Sequence, residues 1–204
     1  NWLEFYKFFA VSLFRISIAY LIASMIAILL AFATVKNKYI ESVLLPILDV
    51  TQSFPSFALL PFLIVFFGAN GFAVIVILTI NIIWPILFTI IGSLKGSRQD
   101  LNNAATIFGA RGVNRFIHFS LPSILPSFIS GSIIGWGEAW DVIVGAEIIA
   151  QVGGIGAFLG NISASKNLTV LALAISVYLL LIFVLNQLLW IPLLNYSSRY
   201  QNES

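Results

Sequence analysis

Three carboxylates, Glu138, Asp141 and Glu147, fall inside one strongly apolar stretch of the chain. A charged group at the centre of a bilayer costs on the order of 3 kcal/mol on insertion scales. Acids in such a stretch therefore point to a water-filled cavity or to a place near the headgroups. On a helix that advances about 100° per residue, Glu138 and Asp141 share a broad face, and Glu147 is turned roughly 180° from Glu138. The three do not form one triad. Glu138 and Asp141, with Trp140 beside them, are candidates for a cavity lining or an outer gate. The late position of Glu147 favours a solvated helix end. Asp49 and Gln52, near the end of another apolar run, form a possible inner polar belt, or Asp49 pairs with Lys36 or Lys38.

Other chemistries have less support. His118 is the only histidine and the chain has no cysteine, so neither a thiolate or histidine-cluster metal site nor thiol catalysis is expected. No phosphate-cradling GxxxxGK[ST] loop is present, and the nearest fragment, from Gly92 to Gly96, has the wrong spacing. Any ATP chemistry must come from another chain. An intramembrane enzyme would need a nucleophile with its base, or clustered metal ligands, at membrane depth, and the sequence offers poor material for either.

The elements that carry these residues are set by composition. Of 204 residues, 60% are hydrophobic and 9% charged, with a mean hydropathy of +1.03. Soluble domains run at about 45–50% apolar and about 25% charged. Too few polar side chains remain to cover a water-facing surface, so lipid is the expected solvent. The net charge of +2 is confined to a few loops, with no basic stripe of the kind that binds nucleic acid. A spanning helix needs about 20 apolar residues, and five stretches qualify: 11–35, 43–67, 72–94, 124–149 and 170–194. The expected fold is an all-α polytopic bundle of about five membrane helices. Residues 1–10 read as an aromatic, amphipathic interfacial segment, residues 11–194 as the membrane domain and residues 195–204 as a tail.

Lys and Arg accumulate on the cytoplasmic side of membrane proteins. Placing the 95–121 loop inside collects Lys36, Lys38, Lys95, Arg98, Arg111, Arg115 and Arg199 there and leaves Lys7 and Lys166 outside, with Arg15 at a helix entrance on that side. The expected topology puts Asn1 outside and the C-terminus in the cytoplasm. An outside N-terminus without a signal is resolved by a further helix upstream of Asn1. The second stretch carries Pro46, Pro55 and Pro61, and Pro55 and Pro61 imply broken backbone hydrogen bonds. Such kinks suit a rocking part and a static bundle equally.

The 95–121 loop is the longest polar stretch. Leu101, Ala104, Ala105 and Phe108 recur at helical spacing, Gly109 can end that helix, and Leu121 and Pro122 stand at the mouth of the next span. The pattern predicts a slim helix, a turn and a second helix, suited to a groove on a partner or to rest on the bilayer. Asn103-Ala104-Ala105, three residues, Gly109, nine residues and Phe119-Ser120-Leu121-Pro122 resemble the cytoplasmic loop of permease subunits of binding-protein-dependent ABC importers. Asn103 replaces that family's Glu and Phe119 its Ile. The resemblance extends over about residues 11–194 and includes Pro55, Leu60-Pro61 and Gly68. Trp140, Ala146-Glu147 and Gly154-Ile155-Gly156 look like the subgroup serving nitrate, sulfonate, taurine and bicarbonate uptake.

The resemblance implies a type I importer core in a prokaryotic cell membrane. Its loop would be a coupling helix docking on an ATP-binding cassette ATPase through Asn103, Ala104, Ala105, Phe108, Gly109, Leu121 and Pro122. ATP and Mg2+ would sit on that partner and no cofactor on this chain. A second permease module, identical or paired, and an extracytoplasmic substrate-binding protein complete the assembly. Glu138, Trp140, Asp141, Asp49 and Gln52 are the path candidates. The reading from a different class is half of an ion-coupled secondary transporter using Glu138, Asp141 or Asp49; inverted repeats would support it, and no convincing repeat is visible.

Overall fold

The computed structural model describes residues 2–96 and 121–202. Helix α1 spans Trp2–Val35, α2 Lys38–Gln52, α3 Leu60–Phe67, α4 Gly71–Gly96, α5 Leu121–Ile149, α6 Ile155–Ala164 and α7 Leu168–Asn202. A 3-10 turn, Ser56–Leu59, leads into α3. No strand occurs among the described residues, as the composition predicts. Residues 2–10 are the first turns of α1, and Phe5 and Phe9 on them are buried.

The core is α4 held between α1 and α5. Lipid provides no hydrophobic drive between apolar helices, so their association relies on close packing of small residues. On α1, Ala19, Ala23, Ala27 and Ala31 recur every fourth residue, and all are fully buried. On α5, Gly131 and Gly135 do the same work against α4. A Cβ at Gly131 would fall 2.7 Å from the Pro85 carbonyl oxygen and 2.8 Å from the Ile86 Cα. One at Gly135 would stand 3.2 Å from the Ile82 carbonyl oxygen. Larger side chains on α4, Ile82, Ile86, Leu87 and Ile90, fill the remaining space and are fully buried.

Aromatic rings tie α7 to this core. Phe9 of α1 stacks on Trp140 of α5, with centroids 5.2 Å apart, and Trp140 meets Tyr178 of α7 edge to face at 5.9 Å. The Tyr178 hydroxyl donates to the Trp140 carbonyl at 2.9 Å. Away from these anchors, Leu179, Leu180, Phe183 and Leu188 of α7 are exposed, as a lipid-facing surface requires.

Among the described residues, three helices, α1, α4 and α7, are long and apolar enough to cross a membrane; α2 and the Ser56–Phe67 segment make a fourth if that bent pair is one span. The chain is a multi-pass membrane protein. Sequence reading expects five spans, and the difference lies in α5. At 29 residues it is about 43 Å long, but its Gly, Ser and Pro residues and three acids dilute its hydropathy.

Two expectations are corrected. The 43–67 stretch is not one helix: it turns by 78° between α2 and the following segment. Pro55 excludes the residue before it from the helical region, and with ψ of 103° it is itself extended. The 150–169 stretch, which falls between the last two expected spans, contains α6. Its Gly156 lies so close to the Val144 carbonyl that no side chain could be accommodated there.

Candidate functional site: a polar cavity at a broken helix

The break at Pro55 opens a cavity of about 470 Å³, lined by Gln52, Ser53, Ser56, Asn81, Trp84, Pro85, Glu138 and Asp141, with Phe54, Pro55 and Val142 completing the wall. Three elements build it: the unwound end of α2, the middle of α4 and the middle of α5. Glu138 and Asp141 share one face of α5, as their spacing predicts, and that face meets the break.

The local hydrogen bonds are ordered. Ser56 Oγ donates to Asn81 Oδ1 at 2.8 Å, which turns the Asn81 amide nitrogen toward Glu138 Oε2, 3.5 Å away. Gln52 Nε2 donates to Asp49 Oδ1 at 2.8 Å, and Ser53 Oγ to the Asp49 carbonyl at 2.9 Å. Pro85 has no N–H, so the Asn81 carbonyl lacks its ordinary helical donor.

Of the sequence-selected path residues, Gln52, Glu138 and Asp141 come together in this wall. Asp49 lies one turn before Gln52 and tethers it without lining the cavity. It accepts from Gln52, whereas the ion pair near the start of α2 joins Lys95 to Glu41 at 2.8 Å. Trp140 does not line the cavity; it is buried in the aromatic cluster between α1, α5 and α7. Asn103, Ala104, Ala105, Phe108 and Gly109 lie outside the described residues. Leu121 and Pro122 form the first turn of α5, with Leu121 exposed.

A second polar cluster overturns the expectation for Glu147. Its side chain is fully buried. Ser12 Oγ donates to both carboxylate oxygens, at 2.7 and 2.9 Å, Arg15 Nη1 to Oε1 at 2.6 Å, and the Gly156 amide to Oε2 at 2.9 Å. Arg15 Nη1 also donates to the Gly153 carbonyl at 2.6 Å, and Ser12 Oγ accepts from the Ile155 amide at 2.8 Å. Position along α5 cannot reveal these partners, because Arg15 is 132 residues upstream. The carboxylate lies against Gly154 so closely that a Cβ there would collide with it. The Ala146-Glu147 and Gly154-Ile155-Gly156 elements are thus one unit: the acid caps the start of α6, and the glycines leave it room.

The pattern that defines the binding-protein-dependent transport system inner membrane component covers residues 23–191. The chain belongs to that family. It is 33% identical over 150 residues to the nitrate import permease protein NrtB of Synechococcus elongatus, an alignment covering 73% of this chain and 53% of that protein. It is 27% identical over 176 residues to the taurine transport system permease protein TauC of Escherichia coli, covering 86% and 64%. The bicarbonate transport system permease protein CmpB of Synechococcus elongatus is 27% identical over 165 residues, covering 80% and 59%. The chain thus spans about half to two thirds of the length of these curated relatives. The relatives are named for nitrate, taurine and bicarbonate transport, the subgroup that Ala146-Glu147 and Gly154-Ile155-Gly156 resemble in sequence.

Proposed function

We propose that this chain is the membrane-embedded permease subunit of an ATP-driven, binding-protein-dependent importer. The observation that carries this reading is the family pattern, which runs through every described membrane helix. The cavity at the α2 break is the translocation path. It brings the polar side chains of three helices together inside an otherwise apolar bundle, and a helix interrupted at Pro55 is a joint about which α3 can swing relative to α2. Unwound backbone is tolerated at membrane depth where it lines such a cavity.

ATP hydrolysis belongs to a separate ATPase subunit that docks on the 98–119 loop, and a substrate-binding protein docks on the opposite face. A second permease module completes the path. In this reading α5 spans the bilayer, the 95–121 loop and the C-terminus are cytoplasmic, and Asn1 faces outward, as the distribution of Lys and Arg favours. A cysteine at Asn103 is expected to react with impermeant reagents from the cytoplasmic side only; labelling from outside would invert the topology.

The assembly is tested by detergent pull-down of the tagged full-length protein from its native membrane, with mass spectrometry of the co-purifying chains. An ATPase subunit is expected, and it should fall by at least about tenfold when Gly109 is replaced by Trp, since a bulky residue prevents the turn that closes the docking helix. A well-folded preparation that retains no ATPase in either form would favour an ion-coupled transporter using Glu138 and Asp141.

A further inference from the structure

We infer that the cavity at the α2 break selects by charge: it admits small, positively charged, nitrogen-bearing solutes and holds back anions. The inference rests on reading that cavity as the path, and it concerns what the path accepts.

The donor and acceptor inventory of the wall carries the argument. Its donors are largely spent on the protein itself: the Ser53 hydroxyl on the Asp49 carbonyl, the Ser56 hydroxyl on Asn81, and the Gln52 amide on the Asp49 carboxylate. Its acceptors are largely free. Glu138 receives one long contact from the Asn81 amide, although a carboxylate has about four acceptor sites. Asp141 makes no hydrogen bond among the described residues, and the Asn81 carbonyl has lost its helical donor to Pro85. An anion entering this space would meet two carboxylates and few unengaged donors. An ammonium or a ring N–H would meet two carboxylates and the Asn81 carbonyl.

Charge balance points the same way. Among the described residues, no Lys or Arg lines the cavity. Arg15 is committed to Glu147 and Gly153, and Lys95 to Glu41, so neither is available to neutralise Glu138 or Asp141. Trp84 in the same wall adds an indole, the aromatic group that binds cations best over its face. A volume of about 470 Å³ falls within the roughly 300–1,000 Å³ of small-molecule sites.

The absence of cysteine makes the test direct. Val142 lines the cavity, and Val142→Cys in the full-length protein, in native membrane vesicles, offers a single thiol there. Its modification rate is measured with the trimethylammonium-ethyl and the sulfonatoethyl methanethiosulfonates. Each rate is divided by that of Ser165→Cys, an exposed position beyond the end of α6. Two carboxylates within several ångströms are expected to favour the cationic over the anionic reagent by at least about tenfold. Glu138→Gln and Asp141→Asn should each lower that ratio, and the double change should bring it below about twofold. Equal normalised rates in the unaltered wall would overturn the charge selection while leaving a water-filled path intact. No reaction with either reagent, while Ser165→Cys reacts, would remove the path reading and the selection with it.

Discussion

Replacing Gly131 with leucine is expected to leave almost no correctly assembled protein in the membrane. The Cβ alone would lie 2.7 and 2.8 Å from backbone atoms of α4, and a backbone inside a helix cannot step aside as a flexible side chain can. Overpacking a well-filled core costs typically 1–3 kcal/mol; here the contact is between two backbones, so α5 must separate from α4 along its most extensive contact. The separation would also unseat Glu138 and Asp141 from the cavity wall. The measurement is the monodisperse fraction on size-exclusion chromatography after mild solubilisation. Gly137→Leu is the control, because a Cβ there meets nothing within 4 Å; it should behave as the parent does. Equal profiles for both variants would contradict the close α4–α5 approach.

Removing the Glu147 carboxylate should have the next largest effect. Glu147→Ala leaves Arg15 largely buried, with a side-chain exposure of 13%, and strips acceptors from Ser12 and the Gly156 amide. Breaking a buried ion pair from one side costs about 3–5 kcal/mol. We expect a clear fall in the thermal midpoint in detergent, with α6 released from α5. Glu147→Gln, which keeps an acceptor for Gly156, should lose less. The double variant Arg15→Met with Glu147→Leu should recover much of the stability lost by Glu147→Ala, because no uncompensated charge then remains. A double variant as unstable as the single one would show that the hydrogen bonds to the 153–156 turn, and not the charge, dominate.

These two sites differ in how far they can be read from the chain. The angular relation among Glu138, Asp141 and Glu147 follows from helical geometry alone, and the structure keeps it: Glu138 and Asp141 face the cavity, and Glu147 points elsewhere. What lies in that other direction is not encoded near Glu147. A helix end suggested water, yet Arg15, Ser12 and the turn at 153–156 converge on the carboxylate instead. Helix α6 was illegible for a related reason. Two glycines in its ten residues, Gly156 and Gly160, and a third at the cap, Gly154, argue against a helix, and this one is held by Glu147 at its start and by burial of Ile155 and Leu159. Trp140 was selected with its acidic neighbours by proximity in sequence, but one residue along a helix is a turn of about 100°, enough to carry it from the cavity into the aromatic core.

The amino-acid sequence by itself determined that the chain lives in lipid, that its long apolar segments are helical, and which family it joins. Those properties depend on local composition and on short motifs, because a bilayer penalises every unpaired backbone group and demands long apolar helices. The tertiary structure alone decided that Pro55 marks a 78° turn rather than a mild kink, that Gln52, Asn81, Glu138 and Asp141 share one cavity, and that Glu147 is a buried anchor. Each of these depends on atoms from segments far apart in the chain meeting within a few ångströms, and the energies involved come from excluded volume and desolvated charge, which arise only once the helices have packed.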